Sequence, residues 1–496
     1  MAEYIRLDDR AYDSCGVVGV HTAGVEQFDG AGRPRGVAQI GAAALWELQN
    51  RGEDGAGLLV AVPDGKTFAN NAFLGYRGEG LINEVIHDGG HTLDSALPGA
   101  SIAVAHTRYP TSGSRQRHNS EKLQPLDAGT PDRAVVLGHN GNIPNAVEVA
   151  MEYGLEPPFH SDTHAVVRSL DYLHRVKMQP LHTAALELFP QFEGGYAFVF
   201  SDGHRLYAGL DPWGFRPLSL AGLPGGGHML ASERPAFDPS GAKFIRDIKP
   251  GEIVAIDGKK VHSYMMDRKE PEGGLCSLEY GYFARPYGTL QGRSVSAARR
   301  AMGELLFRDS PVEADVVVGV PNSGMYAADG YHKASGIPLG PGLVKNEYET
   351  GRSFIQSSQT LRAEKVERKL RVDPDVVNGK VIDLVDDSVI RGTNMKVIIG
   401  MLRRAGAKGV NVLVATPPIM WPCFYGIDIG DPDELFARKF SNNARMAEAI
   451  HANSVHYNTV SAFREAIGST VGKLCTSCMT GKYFTKIPRG VLPDSS

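Results

Sequence analysis

Residues 381–394 read Val-Ile-Asp-Leu-Val-Asp-Asp-Ser-Val-Ile-Arg-Gly-Thr-Asn, and this stretch decides the fold of the second half of the chain. Val381–Val385 is a nearly continuous apolar run of strand length, as expected of a strand buried on both faces of a parallel sheet. Met395, Ile398, Ile399 and Leu402 then recur at helical spacing over Asn394–Arg404. Val410–Ala415 returns to a buried strand. Strand, loop, helix, strand at this length is a βαβ unit, and Val316–Val320 supplies a further parallel strand. The loop therefore places Asp386, Asp387, Ser388, Arg391, Gly392 and Thr393 at the carboxyl end of a parallel strand, where α/β sheets bind ligands. Backbone amides at the start of the following helix suit a phosphate. Asp386 and Asp387 suit ribose hydroxyls or a Mg²⁺ ion, which prefers oxygen ligands. Read alone, two adjacent Asp residues would be a solvated acidic turn; the flanking strand and helix argue otherwise.

VDDSVIRGTN resembles the phosphoribosyl pyrophosphate motif of the type I phosphoribosyltransferases. The resemblance implies that the acidic pair contacts ribose and metal and that the Arg-Gly-Thr turn cradles the 5′-phosphate. Two further segments fit such a site. Pro321-Asn322-Ser323-Gly324 follows a strand. Lys345–Gln359, which contains Arg352, is polar and basic with a central Gly, as in a mobile lid over pyrophosphate.

Upstream, to about residue 265, the pattern changes to short strands between Gly- and Pro-rich turns, among them Gly16–Val20, Ile102–Ala105, Ala134–Leu137 and Tyr196–Ser201. Helical stretches at Ala42–Gln49 and His164–His174 interrupt them. This predicts an α+β layered domain with mainly antiparallel pairing. The charged, Pro- and Gly-rich stretch Asp267–Gly274 marks the boundary. Several polar motifs end or follow these elements: Cys15 before GVVGV, RGEDGAG from Arg51, HTRY from His106, HNGN from His139, and SDT from Ser161.

Amide hydrolysis needs a nucleophile, a base, an oxyanion hole and substrate anchors. A thiolate is the nucleophile at neutral pH. No Cys-His pair is evident from spacing. Removal of residues 1–14 would instead free the α-amine of Cys15, with a pKa of about 7.7–8.0, to act as the base. Asn140 and the Gly141 amide suit an oxyanion hole. Arg108 suits the glutamine carboxylate, and Asp162 its ammonium group. For a lone cysteine, a half-buried core thiol is the ordinary alternative.

CGVVGV, LQNRGEDGAG, HTRYPTSGS, GHNGN and SDT, in this order, resemble the N-terminal-nucleophile glutamine amidotransferases, as do DPWGFRPL, ASE and RDIKPGEIV further on. The resemblance makes Cys15 the nucleophile and puts Arg51, Arg108, Asn140, Gly141 and Asp162 in the glutamine pocket. A glutaminase of this class fused to a phosphoribosyltransferase resembles the glutamine phosphoribosylpyrophosphate amidotransferases over nearly everything from residue 15 to about 482. EYGYFARP from Glu279 and PCFYGID from Pro422 belong to the same likeness. It implies an α+β N-terminal-nucleophile hydrolase sandwich (αββα) over residues 15–268 after a propeptide at 1–14. An α/β type I phosphoribosyltransferase domain over 269–496 follows. The implied reaction converts phosphoribosyl pyrophosphate, glutamine and water to 5-phosphoribosylamine, pyrophosphate and glutamate, the first committed step of purine synthesis. It also implies one Mg²⁺ per subunit at Ser323, Asp386 and Asp387, substrate contacts from Lys345 and Arg352, feedback by purine nucleotides, and a homotetramer or dimer.

Cys276, Cys423, Cys475 and Cys478 remain. Four thiolates suit either a [4Fe–4S] cluster or structural zinc. All four lie in contexts (GLCSLEY, PCFYGID, LCTSCMTG) resembling those of a subgroup with a [4Fe–4S] cluster and a cleaved propeptide, which favours one cluster per subunit. Five cysteines in a long chain argue against a disulfide framework.

Several positions depart from the usual family pattern: Asn50, Glu53, His164, Asn322, Glu347 and Asn394. They leave open a paralogue that aminates a phosphosugar in a specialised pathway. A non-catalytic phosphoribosyl pyrophosphate-binding regulator would bring a DNA-binding unit or basic face, and neither is visible. The 496 residues predict two domains. With 52 basic and 56 acidic residues, and no long apolar run or secretory leader, neither nucleic acid nor membrane is expected as a partner, and the cytoplasm is the expected compartment.

Overall fold

Alternation along the first strand sets the layering of the amino-terminal half. β1 (Gly16–His21) turns Val17 toward one layer of core and Val18 and Val20 toward another, because successive side chains on a strand point to opposite faces. Further strands follow down the chain: β2 (Gly55–Ala61), β3 (Phe73–Glu79), β4 (Ile102–Arg108), β5 (Leu126–Thr130), β6 (Arg133–Asn142), β7 (Gly195–Ser201), β8 (Leu206–Leu210), β9 (Ser219–Gly222), β10 (His228–Ala231), β11 (Lys243–Asp247), β12 (Glu252–Asp257) and β13 (Lys260–Met265). They form two antiparallel sheets, of order β11-β9-β10-β1-β4-β2-β3 and β13-β12-β8-β7-β6-β5. Val17, Val104, Val136, Val199 and Val254 fill the space between the sheets. Helix α1 (Val37–Glu47) covers the outer face of the first sheet through Ile40, Ala44 and Leu45. Helix α2 (Asp162–Asp171) covers the second through Val166 and Leu170. The result is the expected αββα sandwich. Each fully buried aliphatic side chain contributes about 1.5–3 kcal/mol to its cohesion.

The computed structural model describes residues 15–28, 34–63, 72–108, 123–130, 133–267, 273–346, 366–429, 431–468 and 473–487. The expected propeptide, most of the domain-boundary stretch, and the lid with Arg352 and Glu347 lie outside these residues.

After the boundary, β14 (Leu275–Cys276) leads into a wide helical turn, Glu279–Phe283, and then α3 (Val295–Asp309). β15 (Val316–Gly319), α4 (Met325–Ser335), β16 (Val381–Asp386), α5 (Thr393–Arg404), β17 (Gly409–Val414) and β18 (Ser454–Tyr457) follow. The four strands are parallel, in the order β15-β16-β17-β18. Leu306, Ala327 and Tyr331 cover one face with Val317, Val385 and Leu413. Ile398, Leu402 and Met446 cover the other with Val318, Leu384 and Val412. The apolar runs Val316–Val320, Val381–Val385 and Val410–Ala415 are thus buried on both sides. The final short strand β19 (Leu474–Cys475) pairs in parallel with β14, bringing Cys276 opposite Cys475.

One helix starts earlier than its local pattern suggests. α1 begins at Val37 rather than Ala42, because the carboxylate of Asp94 accepts hydrogen bonds from the amides of Ala38 (2.9 Å) and Gln39 (3.0 Å). That distant cap satisfies amides that a helix start otherwise leaves orphaned. α2 begins at Asp162, capped by Ser161, whose hydroxyl accepts from the His164 amide at 3.1 Å.

Candidate active sites

Cys15 is buried at the head of β1, in the middle of the first sheet. Gly16 pairs with Thr107 and Gly55 with Arg108, so Cys15 and half-buried Arg108 share one end of three adjacent strands. β6 of the other sheet ends at Asn140–Asn142. The Asn140 side chain is fully buried, and neither its amide nitrogen nor its oxygen has a partner among the described residues. Such an orphan is costly unless a ligand completes it. Asp162 is tied to the same loop: its carboxylate accepts from the Ile143 amide at 3.1 Å and from the Thr163 amide at 2.7 Å. Two buried histidines flank these residues. Burial depresses His106 to about 3 and lowers His139, so both rings are neutral. His106 Nε2 lies 3.0 Å from the His139 carbonyl, and His139 Nδ1 lies 3.0 Å from the Thr163 hydroxyl. They brace the loop.

Arg51 lies beside Cys15, with Nε donating to its carbonyl at 3.4 Å. Its guanidinium is also occupied by two carboxylates, Glu233 and Glu279, each at 2.7 Å, with no side-chain exposure. That arrangement is suited to holding Cys15 from behind. Arg216, Glu233 and Glu279 were not singled out from sequence. DPWGFRPL, ASE and EYGYFARP carried the only signal, as family-like segments without an assigned role.

The carboxyl-terminal half reaches into this site. The Phe424 carbonyl accepts from Asn142 Nδ2 at 3.1 Å, and the Tyr425 carbonyl from Arg216 Nε at 3.1 Å. Tyr425 stacks on Phe215 with ring centroids 4.0 Å apart. Gly426 has φ +106°, and a Cβ there would lie 2.8 Å from the Gly141 Cα. The stretch Cys423–Asp428 is therefore packed directly on the Asn140–Asn142 loop.

At the end of β16, Asp386, Asp387 and Ser388 are buried. Asp387 Oδ1 accepts from the Ser388 hydroxyl at 2.6 Å, while Oδ2 is buried without a partner. The Pro321–Gly324 turn packs against this strand end: a Cβ on Gly324 would lie 3.1 Å from the Asp386 Cα. Ser323 Oγ is another buried oxygen without a partner. Gly392, at φ +81°, caps α5, and Thr393 opens that helix. Arg391 is turned to Glu434, with contacts at 2.8 and 2.7 Å. Lys345 is exposed at the end of a short strand, Leu343–Lys345.

The four remaining cysteines are brought together. Cys276 and Cys475 are register partners, and the thiols of Cys276, Cys423, Cys475 and Cys478 interact electrostatically. Burial pushes Cys475 up to about 11 and raises Cys276 and Cys478, so the bare thiols are protonated. Among the described residues no three His, Cys, Asp or Glu side chains converge on a single-ion site. A lone zinc needs thiolates about 2.3 Å from one centre. Four facing thiols are a donor set that suits either a structural zinc or a [4Fe–4S] cluster.

A thiol-nucleophile amidohydrolase half and a phosphate-loop α/β half, packed against each other, define a glutamine amidotransferase joined to a phosphoribosyltransferase. Residues 114–239 match the family model described as a glutamine amidotransferase domain. The chain is 40% identical over 488 residues to the amidophosphoribosyltransferase of Mycobacterium tuberculosis (strain ATCC 25618 / H37Rv), covering 96% of this chain and 87% of the relative. It is 38% identical to that of Staphylococcus aureus (strain MRSA252), over 90% of this chain and 88% of the relative. Glutamine phosphoribosylpyrophosphate amidotransferase from B. subtilis, solved with ADP and GMP, superposes with a TM-score of 0.82 at 34% identity, over 96% of this chain and 99% of that one. The chain belongs to the amidophosphoribosyltransferase family.

Proposed function

We propose that this chain catalyses the glutamine-dependent amination of phosphoribosyl pyrophosphate, the first step of de novo purine biosynthesis. The observation that carries the reading is the contact between the Cys423–Asp428 stretch of the second half and the Asn140–Asn142 loop of the first, which sets the two sites into one interface. Cys15 attacks the glutamine amide and forms a thioester, while Asn140 and the Gly141 amide receive the oxyanion. Arg108 and Asp162 hold the carboxylate and ammonium ends of glutamine. The α-amine of Cys15, once residues 1–14 are removed, serves as the base. Ammonia passes through the interface to C1 of the phosphoribosyl group, and water releases glutamate. Asp386, Asp387 and Ser388 hold the ribose, and Gly392 and Thr393 the 5′-phosphate at the start of α5. Arg391 belongs with Gly392 and Thr393 at the 5′-phosphate, and Lys345 and Arg352 are the residues we assign to pyrophosphate.

Ser323, Asp386 and Asp387 would hold Mg²⁺; the orphaned oxygens of Ser323 and Asp387 suit it. When bound, the ion supplies charge stabilisation for departing pyrophosphate. Cys276, Cys423, Cys475 and Cys478 would hold a [4Fe–4S] cluster with a structural role. ADP and GMP in the B. subtilis relative support purine nucleotides as feedback ligands, and we expect a homo-oligomer, a tetramer or dimer. Among the described residues no helix is long and apolar enough to cross a membrane, in keeping with a cytoplasmic enzyme.

The test is glutamine-dependent pyrophosphate release with phosphoribosyl pyrophosphate and Mg²⁺, on anaerobically purified protein. Wild type should release glutamate and pyrophosphate together. Cys15→Ala should lose the glutamine-driven reaction and keep the ammonia-driven one. Absence of both half-reactions in a chain with a free amino-terminal Cys15 would refute the reading.

A further inference from the structure

The proposed activity asks one half of the chain to release ammonia in step with loading of the other, and the inference below rests on that reading. The turn Glu279–Phe283 lies between the two sites. On one side fully buried Glu279 grips Arg51, Oε1 at 2.7 Å and Oε2 at 3.1 Å, and Arg51 reaches the Cys15 carbonyl. The Phe283 carbonyl accepts from Asn50 at 3.0 Å, and the Arg285 amide donates to Glu233 at 2.7 Å. The amino-terminal half thus clasps this turn along its length.

On its other side stands Arg299 of α3, itself buried. Its Nε donates to the Tyr280 carbonyl at 2.9 Å and its Nη2 to the Ala284 carbonyl at 2.8 Å. Gly281 sits so close to Thr416 that a Cβ would come within 3.0 Å of the Thr416 methyl, and the Thr416 amide donates to the Asp387 carbonyl at 2.9 Å. A continuous packed path therefore runs from the phosphoribosyl loop to the nucleophile. Burial lowers the Arg299 pKa from its ordinary value, and the carboxylates of Asp387, Glu233 and Glu279 work to raise it.

We propose that Arg299 is a positioning residue for glutamine hydrolysis. It holds the Glu279–Ala284 turn where Glu279 can set Arg51 behind Cys15, and it registers the state of the loop that bears Asp387. A guanidinium with two carbonyl acceptors has a fixed orientation, and no water competes at this depth. Substrate held at the Asp387 loop bears on Thr416 and, through the close Thr416–Gly281 contact, on the turn. Arg299, bonded to the Tyr280 and Ala284 carbonyls, makes the turn move as one piece, so that the displacement reaches Glu279 and the support under Arg51. Coupling of this kind requires a physical element that both sites bias, and the Glu279–Ala284 turn is that element.

The experiment uses the full-length enzyme. Glutamate release is measured with and without phosphoribosyl pyrophosphate, and pyrophosphate release is measured with an ammonium salt, for wild type, Arg299→Met, Arg299→Lys and Glu279→Gln. Stimulation of glutamate release should fall roughly tenfold in Arg299→Met and recover in part in Arg299→Lys, while ammonia-driven release in both stays within about threefold of wild type. Glu279→Gln should show the same lost stimulation, which keeps the test open if Arg299→Met does not fold. Unchanged stimulation in the Arg299 variants would overturn the proposal. So would a parallel loss of both half-reactions in Arg299→Lys, the mark of a merely structural role. A wild type without glutamine-dependent pyrophosphate release would sink the proposed activity as well; a stimulated wild type with indifferent variants would sink this inference alone.

Discussion

Replacing Gly426 by alanine should cripple the use of glutamine while sparing the use of ammonia. Gly426 sits at φ +106°, a region that side chains rarely adopt. A positive φ costs a non-glycine residue about 1–2 kcal/mol. A Cβ would also lie 2.5 Å from Nη2 of Arg216 and 2.8 and 2.9 Å from the backbone Cα and C of Gly141. Arg216 has little freedom to retreat, since it is buried and its Nε is held by the Tyr425 carbonyl at 3.1 Å. Carbon atoms rest at about 3.5–4.0 Å, so the Gly141 backbone must shift by roughly 0.5–1 Å. Overpacking adds about 1–3 kcal/mol. Because a 1 Å misplacement of catalytic geometry costs about a hundredfold, glutamine-dependent kcat should fall by about 10- to 100-fold. Glutamate release and ammonia-driven pyrophosphate release are assayed side by side, with iron content checked so that a lost cluster is not mistaken for a displaced loop. A variant with normal iron and glutamine-dependent kcat within about twofold of wild type would refute the packing argument.

Gly392→Ala should act at the other site: a Cβ there would lie 2.5 Å from the Phe436 ring at a backbone φ of +81°, so ammonia-driven turnover should drop by about tenfold or more, read as a raised KM for phosphoribosyl pyrophosphate. Asp383 offers a pH test. Burial pushes its carboxyl from 3.8 up to about 6, against a hydrogen bond from Asn411 Nδ2 at 2.9 Å. The folded state thus binds the proton more tightly than the unfolded state. This contribution is full below pH 4 or so and is lost as pH rises through about 6. Asp383→Asn should remove about 1–1.5 kcal/mol of that pH dependence between pH 5 and pH 8, read by denaturant unfolding at the two values; an unchanged difference between them would count against a buried, proton-binding Asp383. Cys475→Ser should lose the bound iron, about four atoms per subunit in anaerobic wild type, measured by metal analysis and visible absorption.

The parts of this molecule that sequence made legible are those in which cause and effect are neighbours along the chain. The run Val381–Val385 is apolar because both faces of β16 are buried, and the acidic pair follows at once because the strand ends at the ligand edge. The Asn140–Asn142 loop could be singled out for the same reason, as polar residues ending an apolar strand. The start of α1 was not legible, since its cap is Asp94, more than 50 residues away. Nor was the setting of Arg51, whose partners Glu233 and Glu279 stand 182 and 228 positions further on. Asn50, read only as a departure from the family pattern, has a place in the same interface, donating to Glu233 and to the Phe283 carbonyl at 3.0 Å each.

The pairing of β14 with β19 joins residues 275–276 to residues 474–475. Synthesis proceeds from the amino terminus, and domains fold as they emerge. The sandwich can therefore close long before β14 has anything to pair with. Throughout translation of the second half, Leu275 and Cys276 wait with an open edge, and the four-thiol site stays one side short. The partner strand follows all four strands of the parallel sheet. A chain that stops before it would thus carry a folded glutaminase and an unfinished seam, distinguishable by its exposed edge and unburied thiols. The joint between the halves is therefore closed by a segment made after the sheet it fastens.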